Sequence, residues 1–257
     1  WWPVLGADAW PVLARRMTFR EWLGSEDKLA ENSIRGICRK SRQFFRSAVG
    51  QRVIRENPFA GMKNLMDLPS PKAREFFISQ SLAEEVLAAC PDDEWRLIFA
   101  LARYGGLRCP SELATLKWSD IHWERGRVVI RETKRKRHVE ARETPLFPEL
   151  RPFLEARFRA EDKNPIKVIG RVDCSKTNLR TQMGRILERA SIKQWPKLFQ
   201  NLRSTRETEL VQQGHPIHVV CSWLGNTPKV ADKHYLQVTD ADFQRALLRC
   251  LPDQRAG

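Results

Sequence analysis

A change of hydrophobic period near residue 120 constrains the fold of this chain more than any other sequence feature. Apolar residues recur at helical spacing on both sides of it, whereas Ile121, Trp123 and Arg127-Val128-Val129-Ile130-Arg131 follow a period of two. The turn Glu124-Arg125-Gly126 joins these segments, and Glu143-Thr144-Pro145-Leu146 supplies a further strand. A period of two indicates strands. The sequence therefore predicts a mainly α-helical, α+β protein with one small antiparallel sheet that has a basic tip.

The stretch NPFAGMKNLMDLPSPKAR, residues 57–74, separates two regions of regular periodicity. It contains three prolines and one glycine and follows no clean period. Such composition is typical of a connection between domains. We therefore expect two domains, at residues 1–65 and 75–257, joined by a linker at 66–74.

Most of the second region is predicted to be helical. Helical patterns run from about Ser81 to Ala89 and from Glu94 to Arg103, and a pair of glycines ends the second pattern. Helices are also expected after Phe147, with a loop near residues 164–173.

The first region contains one long helical pattern, from about Leu29 to Val53, with Asn32 or Ser33 as its N-cap. Its apolar face carries Ile34, Ile37, Cys38, Phe44, Phe45 and Ala48, and another face carries Arg35, Arg39, Arg42 and Arg46. A solvated charge stripe is the ordinary explanation for such a row. No carboxylate stands four residues after any of these arginines, however, and the guanidinium fork suits phosphate groups. We therefore expect the four arginines to contact a nucleic-acid backbone.

The charge balance favours a polyanionic partner. Lys and Arg total 45 against 31 Asp and Glu, a formal charge of +14 in 257 residues. Nucleic-acid-binding proteins commonly carry such an excess, although a merely soluble basic protein is the alternative. Six scattered cysteines without a C-x-x-C pair predict reduced thiols and no zinc site. No signal peptide or membrane span is recognisable, so we expect a cytoplasmic protein.

Four short motifs could carry chemistry, and each alone has an ordinary surface explanation. They are Gly106-Leu107-Arg108 with Ser111-Glu112-Leu113, Lys134 in a basic hairpin, Gln200-Asn201-Leu202-Arg203, and Leu224-Gly225-Asn226 with Tyr235 nine residues later. The hairpin tip, with Arg135, Lys136 and Arg137, is most simply a solvated turn. A flexible basic hairpin can also follow a DNA groove.

In order and spacing, these motifs resemble the tyrosine recombinase, or phage integrase, family and in particular its Xer-like site-specific recombinases. The resemblance covers roughly residues 75–250 as the catalytic domain. Residues 17–60 are similar to the later helices of a core-binding domain, so residues 1–65 would be a partial helical, SAM-like DNA-binding domain. The resemblance implies a site-specific DNA recombinase or integrase of a mobile element, which acts without a metal or another cofactor.

The resemblance also implies a role for each motif residue. Tyr235 would attack a DNA phosphate and form a covalent 3′-phosphotyrosyl intermediate. Arg108 and Arg203 would stabilise the charge that develops on the phosphate oxygens. Lys134 would give a proton to the departing 5′ oxygen, and Glu112 would support Arg108.

Two positions depart from the family pattern. Gln200 and Asn226 stand where the family usually has histidines, and a carboxamide forms hydrogen bonds but does not exchange a proton near neutral pH. The chain is therefore either a specialised recombinase or a catalytically impaired relative that only binds DNA. Glu112 also stands one residue further from Arg108 than is common in the family.

The resemblance implies double-stranded DNA and further copies of the chain as partners. In recombinases the segment after the tyrosine commonly docks on a neighbouring protomer, so a helix at 240–251 would hold a homo-tetramer on two DNA sites. The protein would then act at the nucleoid of a bacterium or on phage DNA. A metal-dependent nuclease is less consistent with the sequence, because the acidic residues fall mostly in amphipathic surface patterns. A type IB topoisomerase would share the chemistry.

Overall fold

The computed structural model describes residues 21, 23, 29, 31–60, 74–131, 141–162, 164–234, 236, 237, 239 and 242. The chain divides into two compact units, residues 1–70 and residues 71–257. The predicted linker at 66–74 lies outside the described residues except for Arg74. Within the described part of the chain, no helix is long and apolar enough to cross a membrane.

The predicted fold class, mainly α-helical with a small antiparallel sheet, is confirmed. The helices and strands are α1 (Glu31–Gly50), α2 (Gln80–Ala89), α3 (Asp93–Arg103), β1 (Ile121–His122), β2 (Arg127–Arg131), β3 (Ala141–Pro145), α4 (Arg151–Arg159), α5 (Leu179–Arg189), α6 (Leu198–Gln212), α7 (Ile217–Leu224) and α8 (Pro228–His234). Two short 3₁₀ helices, Leu113–Thr115 and Trp118–Asp120, lie between α3 and β1.

In the first unit, the chain after α1 folds back on that helix. The Asn57 side chain donates to the Arg42 carbonyl at 3.0 Å and accepts from the Phe59 backbone N–H at 2.9 Å. The buried Phe59 ring then packs on Phe45, with ring centroids 5.0 Å apart. Asn57-Pro58-Phe59 is therefore part of the first unit.

Two expectations for α1 were wrong in detail, and one end of its arginine row has a partner that stands before the row. The helix begins at Glu31, so Asn32 and Ser33 lie in its first turn and do not cap it. Phe44, placed on the apolar face by its spacing, is 68% exposed because it lies at the margin of that face. Arg35 pairs with Glu31, one turn earlier, at 3.3 Å, so a carboxylate does neutralise one end of the arginine row.

The core of the second unit surrounds α3. Side-chain caps mark the N-termini of α3 and of the helix before it. Asp92 caps the N-terminus of α3 by accepting from the Trp95 N–H at 2.9 Å, and Ser79 caps α2 in the same way. Leu97 and Leu101 pack towards the sheet and α4, whereas Phe99 packs towards α2, α5 and α6. Because α3 packs against elements on several sides, its position sets the positions of those elements and of the turn that follows it.

The sheet has the order β1-β2-β3, with both pairs antiparallel. In β2 the side chains alternate, so Val128 and Ile130 enter the core. Val128 pairs with Thr144 of β3, whose hydroxyl donates to the Trp223 carbonyl of α7 at 2.7 Å. The sheet is therefore tied to α7, the helix that ends at the turn of Gly225.

Two glycine turns bring the ends of α3 and α7 together. Gly106 follows α3 with φ +64°, and Gly225 ends α7 with φ +70°. A Cβ on Gly106 would stand 2.5 Å from Leu224 Cδ2, so only glycine permits this approach. Every side chain carried by these two turns is thereby placed near the other turn.

Arg108 does not begin an α-helix, although a proline two residues later and a glutamate four residues later would favour one. Residues 109–112 form a single turn, with a cis peptide bond between Cys109 and Pro110, and the chain continues as a 3₁₀ helix. The Glu112 carboxylate accepts from the backbone N–H of Arg108, which closes the turn on itself. The turn keeps two hydrogen bonds of helical spacing, from the Glu112 N–H to the Arg108 carbonyl at 2.9 Å and from the Ala114 N–H to the Pro110 carbonyl at 3.0 Å.

Candidate active site

Arg108 links the two glycine turns. Its Nη1 donates to Glu112 Oε1 at 2.8 Å, its backbone N–H donates to Oε2 at 2.8 Å, and its Nη2 donates to the Gly225 carbonyl. The Glu112 side chain is 2% exposed, whereas that of Arg108 is 27% exposed. The guanidinium is thus held by the buried Glu112 carboxylate and the Gly225 carbonyl, and part of it is still exposed to solvent.

Glu112 is also held by Arg142 of β3. Arg142 Nη1 and Nη2 donate to the two carboxylate oxygens at 2.9 and 2.8 Å, and Arg142 Nε donates to the Trp223 carbonyl at 2.8 Å. Burial raises the pKa of Glu112, but the Arg142 hydrogen bonds and charge, with the Arg108 N–H and the Arg203 charge, bring that pKa below its ordinary value. The carboxylate is ionised at neutral pH and fixes two guanidiniums.

Arg203 approaches the same turns from α6. Its side chain is buried; Nη1 donates to the Gly106 carbonyl at 2.7 Å, and Nη2 donates to the Leu224 carbonyl. Arg108 bonds the next carbonyl, that of Gly225. The two arginines suggested by the sequence therefore converge on consecutive carbonyls of one turn, immediately before Asn226.

Asn226 is held by Glu207, one helical turn after Arg203 on α6. Asn226 Nδ2 lies 2.9 Å from both oxygens of the Glu207 carboxylate, and Glu207 is fully buried. Burial raises the pKa of Glu207, while the Asn226 hydrogen bond and the charges of Arg203 and Arg108 oppose that rise. Glu207 thus holds a proton more readily than an exposed glutamate.

The other predicted site residues are placed differently or lie outside the described residues. Gln200 is exposed in the first turn of α6, and within the described part of the chain its side chain contacts neither Arg203 nor Asn226 through a hydrogen bond. The residues Lys134, Arg135, Lys136, Arg137 and Tyr235 lie outside the described residues, as does the segment 240–251 except for Asp242.

The two residues after Tyr235 are attached to this unit. The Leu236 N–H donates to the Ala231 carbonyl at 2.9 Å. Gln237 donates from its backbone N–H to Thr208 Oγ1 at 3.1 Å and from its side chain to Ser204 Oγ at 3.0 Å. Ser204 and Thr208 lie on α6, the helix that carries Arg203 and Glu207.

Comparison with models of protein families identifies the family of this chain. The model of the phage integrase family matches residues 77–242, more than half of the chain. The chain belongs to the phage integrase family. As a phage integrase family member, it carries its convergent arginines inside the matched region.

Solved structures of this family share the fold. The Tn1549 transposon integrase in complex with transposon right end DNA is 20% identical, with a TM-score of 0.65, over 90% of this chain and 84% of that one. XerA recombinase is 17% identical, with a TM-score of 0.54, over 94% and 84% of the two chains. A lambda integrase dimer bound to a COC′ core site is 18% identical, with a TM-score of 0.62, over 79% and 59%.

A curated relative matches a shorter stretch. The defective protein IntQ of Escherichia coli (strain K12) is 31% identical over 90 residues, which are 34% of this chain. The matched stretch spans about a fifth, 21%, of that relative's length.

Sequence reasoning missed two residues that organise the site, Arg142 and Glu207. Arg142 follows the basic hairpin and Glu207 follows the motif from Gln200 to Arg203, and neither belongs to one of the four motifs. A signal for Glu207 did exist: a glutamate four residues after Arg203 shares a helix face with it. No local pattern points from Arg142 to Glu112.

A neutral thiol lies beside Glu207. Burial raises the pKa of the Cys221 thiol, which lies 4.0 Å from Glu207, to about 11. The five cysteines among the described residues are free thiols. The described residues contain no cluster of three or more His, Cys, Asp or Glu side chains that could hold a metal ion.

Proposed function

We propose that this chain is a site-specific DNA recombinase that cleaves and rejoins DNA through a 3′-phosphotyrosyl intermediate on Tyr235. One observation supports this above all: Arg108 and Arg203 converge on the carbonyls of Leu224 and Gly225, in the turn that leads to Asn226 and Tyr235. Two fixed guanidiniums at one point suit the developing charge of a phosphoryl group in transfer. The likeness to integrase structures that contain DNA adds support.

In the proposed cleavage step, the Tyr235 oxygen forms a bond to phosphorus, and the bond from phosphorus to the 5′ oxygen breaks. The phenol proton passes to water, and the 5′ oxygen takes a proton from the Lys134 ammonium. The bond energy remains in the phosphotyrosyl link, so a 5′ hydroxyl can attack it and rejoin a strand. Arg108 and Arg203 act as electrostatic stabilisers, and Glu112 positions Arg108.

We infer that double-stranded DNA is the partner and that both units contact it. Arg35, Arg39, Arg42 and Arg46 of α1 would meet the phosphate backbone, as would Arg135, Lys136 and Arg137 of the hairpin. A homo-tetramer on two DNA sites, joined through residues 240–251, would exchange strands. The protein would therefore act at bacterial or phage DNA.

A second candidate function follows from the two amides. Gln200 and Asn226 replace titratable groups, and Gln200 is exposed and makes no hydrogen bond to Arg203 within the described part of the chain. A relative that only binds DNA is therefore the competing proposal. It predicts DNA binding with no covalent product.

A suicide DNA substrate separates the two proposals. A nick beside the scissile phosphate lets the short 5′-hydroxyl strand diffuse away, which traps the adduct for a denaturing gel. The recombinase proposal predicts an adduct with the wild-type chain and none with Tyr235→Phe at equal DNA binding. Arg203→Ala should reduce adduct formation by about a hundredfold and binding only slightly, because it removes transition-state contacts. Binding by both chains without any adduct would support the second candidate.

A further inference from the structure

Four charged residues that the proposed reaction does not use form an ion network inside the second unit. Arg103, the last residue of α3, donates from Nη1 and Nη2 to the two oxygens of Glu209 at 2.8 and 2.5 Å. Arg206 Nη1 lies 3.7 Å from Glu209 Oε2, and the two terminal nitrogens of Arg206 donate to the two oxygens of Glu149 at 3.0 and 3.1 Å. Arg206 and Glu209 belong to α6, and Glu149 lies just before α4. The network therefore joins α3, α6 and the start of α4.

Both arginines of the ion network depend on their carboxylate partners. Arg103 and Arg206 are buried, and within the described part of the chain the Nε atom of each has no hydrogen-bond partner. Burial raises the pKa of Glu149, but the Arg206 hydrogen bonds, with the charges of Arg206 and Arg103, bring that pKa below its ordinary value. Glu149 is therefore ionised at neutral pH. A buried guanidinium that loses such a partner is left as an uncompensated charge.

Arg206 contacts the residue whose carbonyl binds Arg203. Arg203 Nη1 donates to the Gly106 carbonyl at 2.7 Å, and Arg206 follows Arg203 by three residues on α6. A Cβ placed on Gly106 would lie 3.8 Å from Arg206 Cγ. The aliphatic stem of Arg206 therefore lies beside the Gly106 turn, on the same helix as the guanidinium that binds that turn.

Arg206 is also connected to the second glycine turn, through an aromatic side chain. The Arg206 guanidinium carbon lies 4.2 Å from the centroid of the Phe147 ring. That ring contacts Trp223 of α7, with ring centroids 6.2 Å apart. Trp223 precedes Leu224, whose carbonyl accepts from Arg203 Nη2. The position of Arg206 thus affects both of the turns whose carbonyls hold the Arg203 guanidinium.

Apolar packing alone would hold these elements less tightly. Phe99 of α3 and Leu202 of α6 belong to one apolar cluster, but apolar burial has no preferred direction. A bidentate pair between a guanidinium and a carboxylate constrains both distance and angle. The ion network provides two such pairs, one between α3 and α6 and one between α6 and the start of α4.

We propose that Arg206 and Glu149 are positioning residues, whose pair holds α6 against the two glycine turns and so keeps the Arg203 guanidinium where the scissile phosphate binds. The inference rests on the proposed recombinase function. It adds to that function a buried pair that acts through Arg203. The alternative is a pair that stabilises the fold and has no effect on the reaction of the folded protein.

Single-turnover adduct formation tests the pair, on a suicide substrate at saturating DNA and at a temperature where denaturant unfolding shows every variant to be folded. Glu149→Gln keeps the shape of the side chain and removes its charge. It should slow adduct formation by about tenfold at unchanged DNA binding, because a misplaced guanidinium stabilises the transition state less. Asp162→Asn is the matched control. Asp162 is the exposed partner of the buried Arg157 at the other end of α4, so this change should weaken the fold without slowing adduct formation.

Two further variants separate positioning from stability. In an Arg203→Ala background, Glu149→Gln should cause little additional loss of rate, because the residue through which it acts is absent. The double variant Arg206→Met, Glu149→Gln replaces the buried charge with an apolar side chain of similar length. It should unfold at a higher denaturant concentration than Glu149→Gln does, yet form the adduct as slowly.

Four results would overturn the proposal while the wild-type chain still forms the adduct. They are a wild-type rate for Glu149→Gln, an equal slowing by Asp162→Asn, multiplicative losses in the Arg203→Ala background, and a rate that recovers with stability in the double variant. In each case the recombinase function would stand. No adduct from the wild-type chain would overturn the recombinase function itself, and this inference with it.

Discussion

The two terminal nitrogens of Arg142 donate to the two carboxylate oxygens of Glu112, at 2.9 and 2.8 Å, inside the second unit. Arg108 shares the same carboxylate. The side chains of Glu112 and Arg142 are 2% and 10% exposed. The proposed site is therefore built on a desolvated ion pair, and its stability and its activity depend on the same residues.

Removal of Arg142 should destabilise the fold. Arg142→Ala leaves a buried carboxylate with half of its partners, and such a change costs about 3–5 kcal/mol in the free energy of unfolding. Arg142→Lys should restore little, because an ammonium cannot reproduce the two parallel hydrogen bonds. Denaturant unfolding measures the loss. Arg127→Ala, which breaks an exposed pair with Glu143, should lower the free energy of unfolding far less than Arg142→Ala does, because water screens that pair; equal losses would contradict the account.

The pH dependence of stability should distinguish Glu112 from Glu207. The pKa of Glu112 is below its ordinary value of 4.5 in the folded chain, so its contribution is complete above pH 4.5 and is lost as the pH falls through the lower, folded pKa. The difference in unfolding free energy between the wild type and Glu112→Gln should therefore shrink below pH 4.5.

Glu207 should show the opposite slope. Its pKa is raised in the folded chain, so the folded state takes up a proton at a higher pH than the unfolded state does. The stability of the wild type relative to Glu207→Gln should increase as the pH falls from above the raised pKa towards 4.5. Denaturant unfolding of both variants in one buffer series gives the two slopes, and slopes of the same sign would show that one assignment is wrong.

The contact of Gln237 with Ser204 should position the nucleophile. Both Gln237→Ala and Ser204→Ala remove a hydrogen bond of 3.0 Å that ties the residues after Tyr235 to α6. A loss of about 1 kcal/mol corresponds to a roughly fivefold slower adduct formation. Gel-shift binding should not change. Ser175→Ala, in an exposed loop, is the control, and a parallel loss of binding would reject a positioning role.

DNA binding by α1 should depend mainly on its two exposed arginines. Arg39 and Arg46 are exposed, whereas Arg42 donates to the Phe59 carbonyl and Arg35 pairs with Glu31. The double variant Arg39→Ala, Arg46→Ala should make the slope of log affinity against log salt shallower by roughly two, about 0.9 for each lost phosphate contact. Lys176→Ala, on an exposed loop, should leave the slope unchanged. An unchanged slope in the double variant would remove α1 from the DNA interface.

The sequence predicted the elements whose signals are local. Helical periodicity located α2 and α3, a pair of glycines located the end of α3, and alternation located β2. The N-cap of α1 was missed because Asn and Ser also occupy first turns. The spacing of Pro110 and Glu112 after Arg108 suggests a helix start, but the chain forms a single turn followed by a 3₁₀ helix there.

The sequence predicted a site residue only where that residue belongs to a motif of the family. Arg108 and Arg203 are brought together as their motifs suggested, on the carbonyls of one turn. The carboxylates and arginines that hold them come from separate elements and meet only in the fold, as Arg142 meets Glu112 across 30 residues. Long-range pairing of this kind leaves no periodic trace in a single sequence.

The central claim is that Tyr235 becomes covalently linked to DNA, and peptide mapping of a trapped adduct tests it most directly. After nuclease and trypsin digestion, mass spectrometry should find the peptide from His234 to Arg245 with a nucleotide joined through its 3′ phosphate to Tyr235. An adduct on any other residue, or the unmodified peptide alone from a gel-purified adduct, would contradict the account.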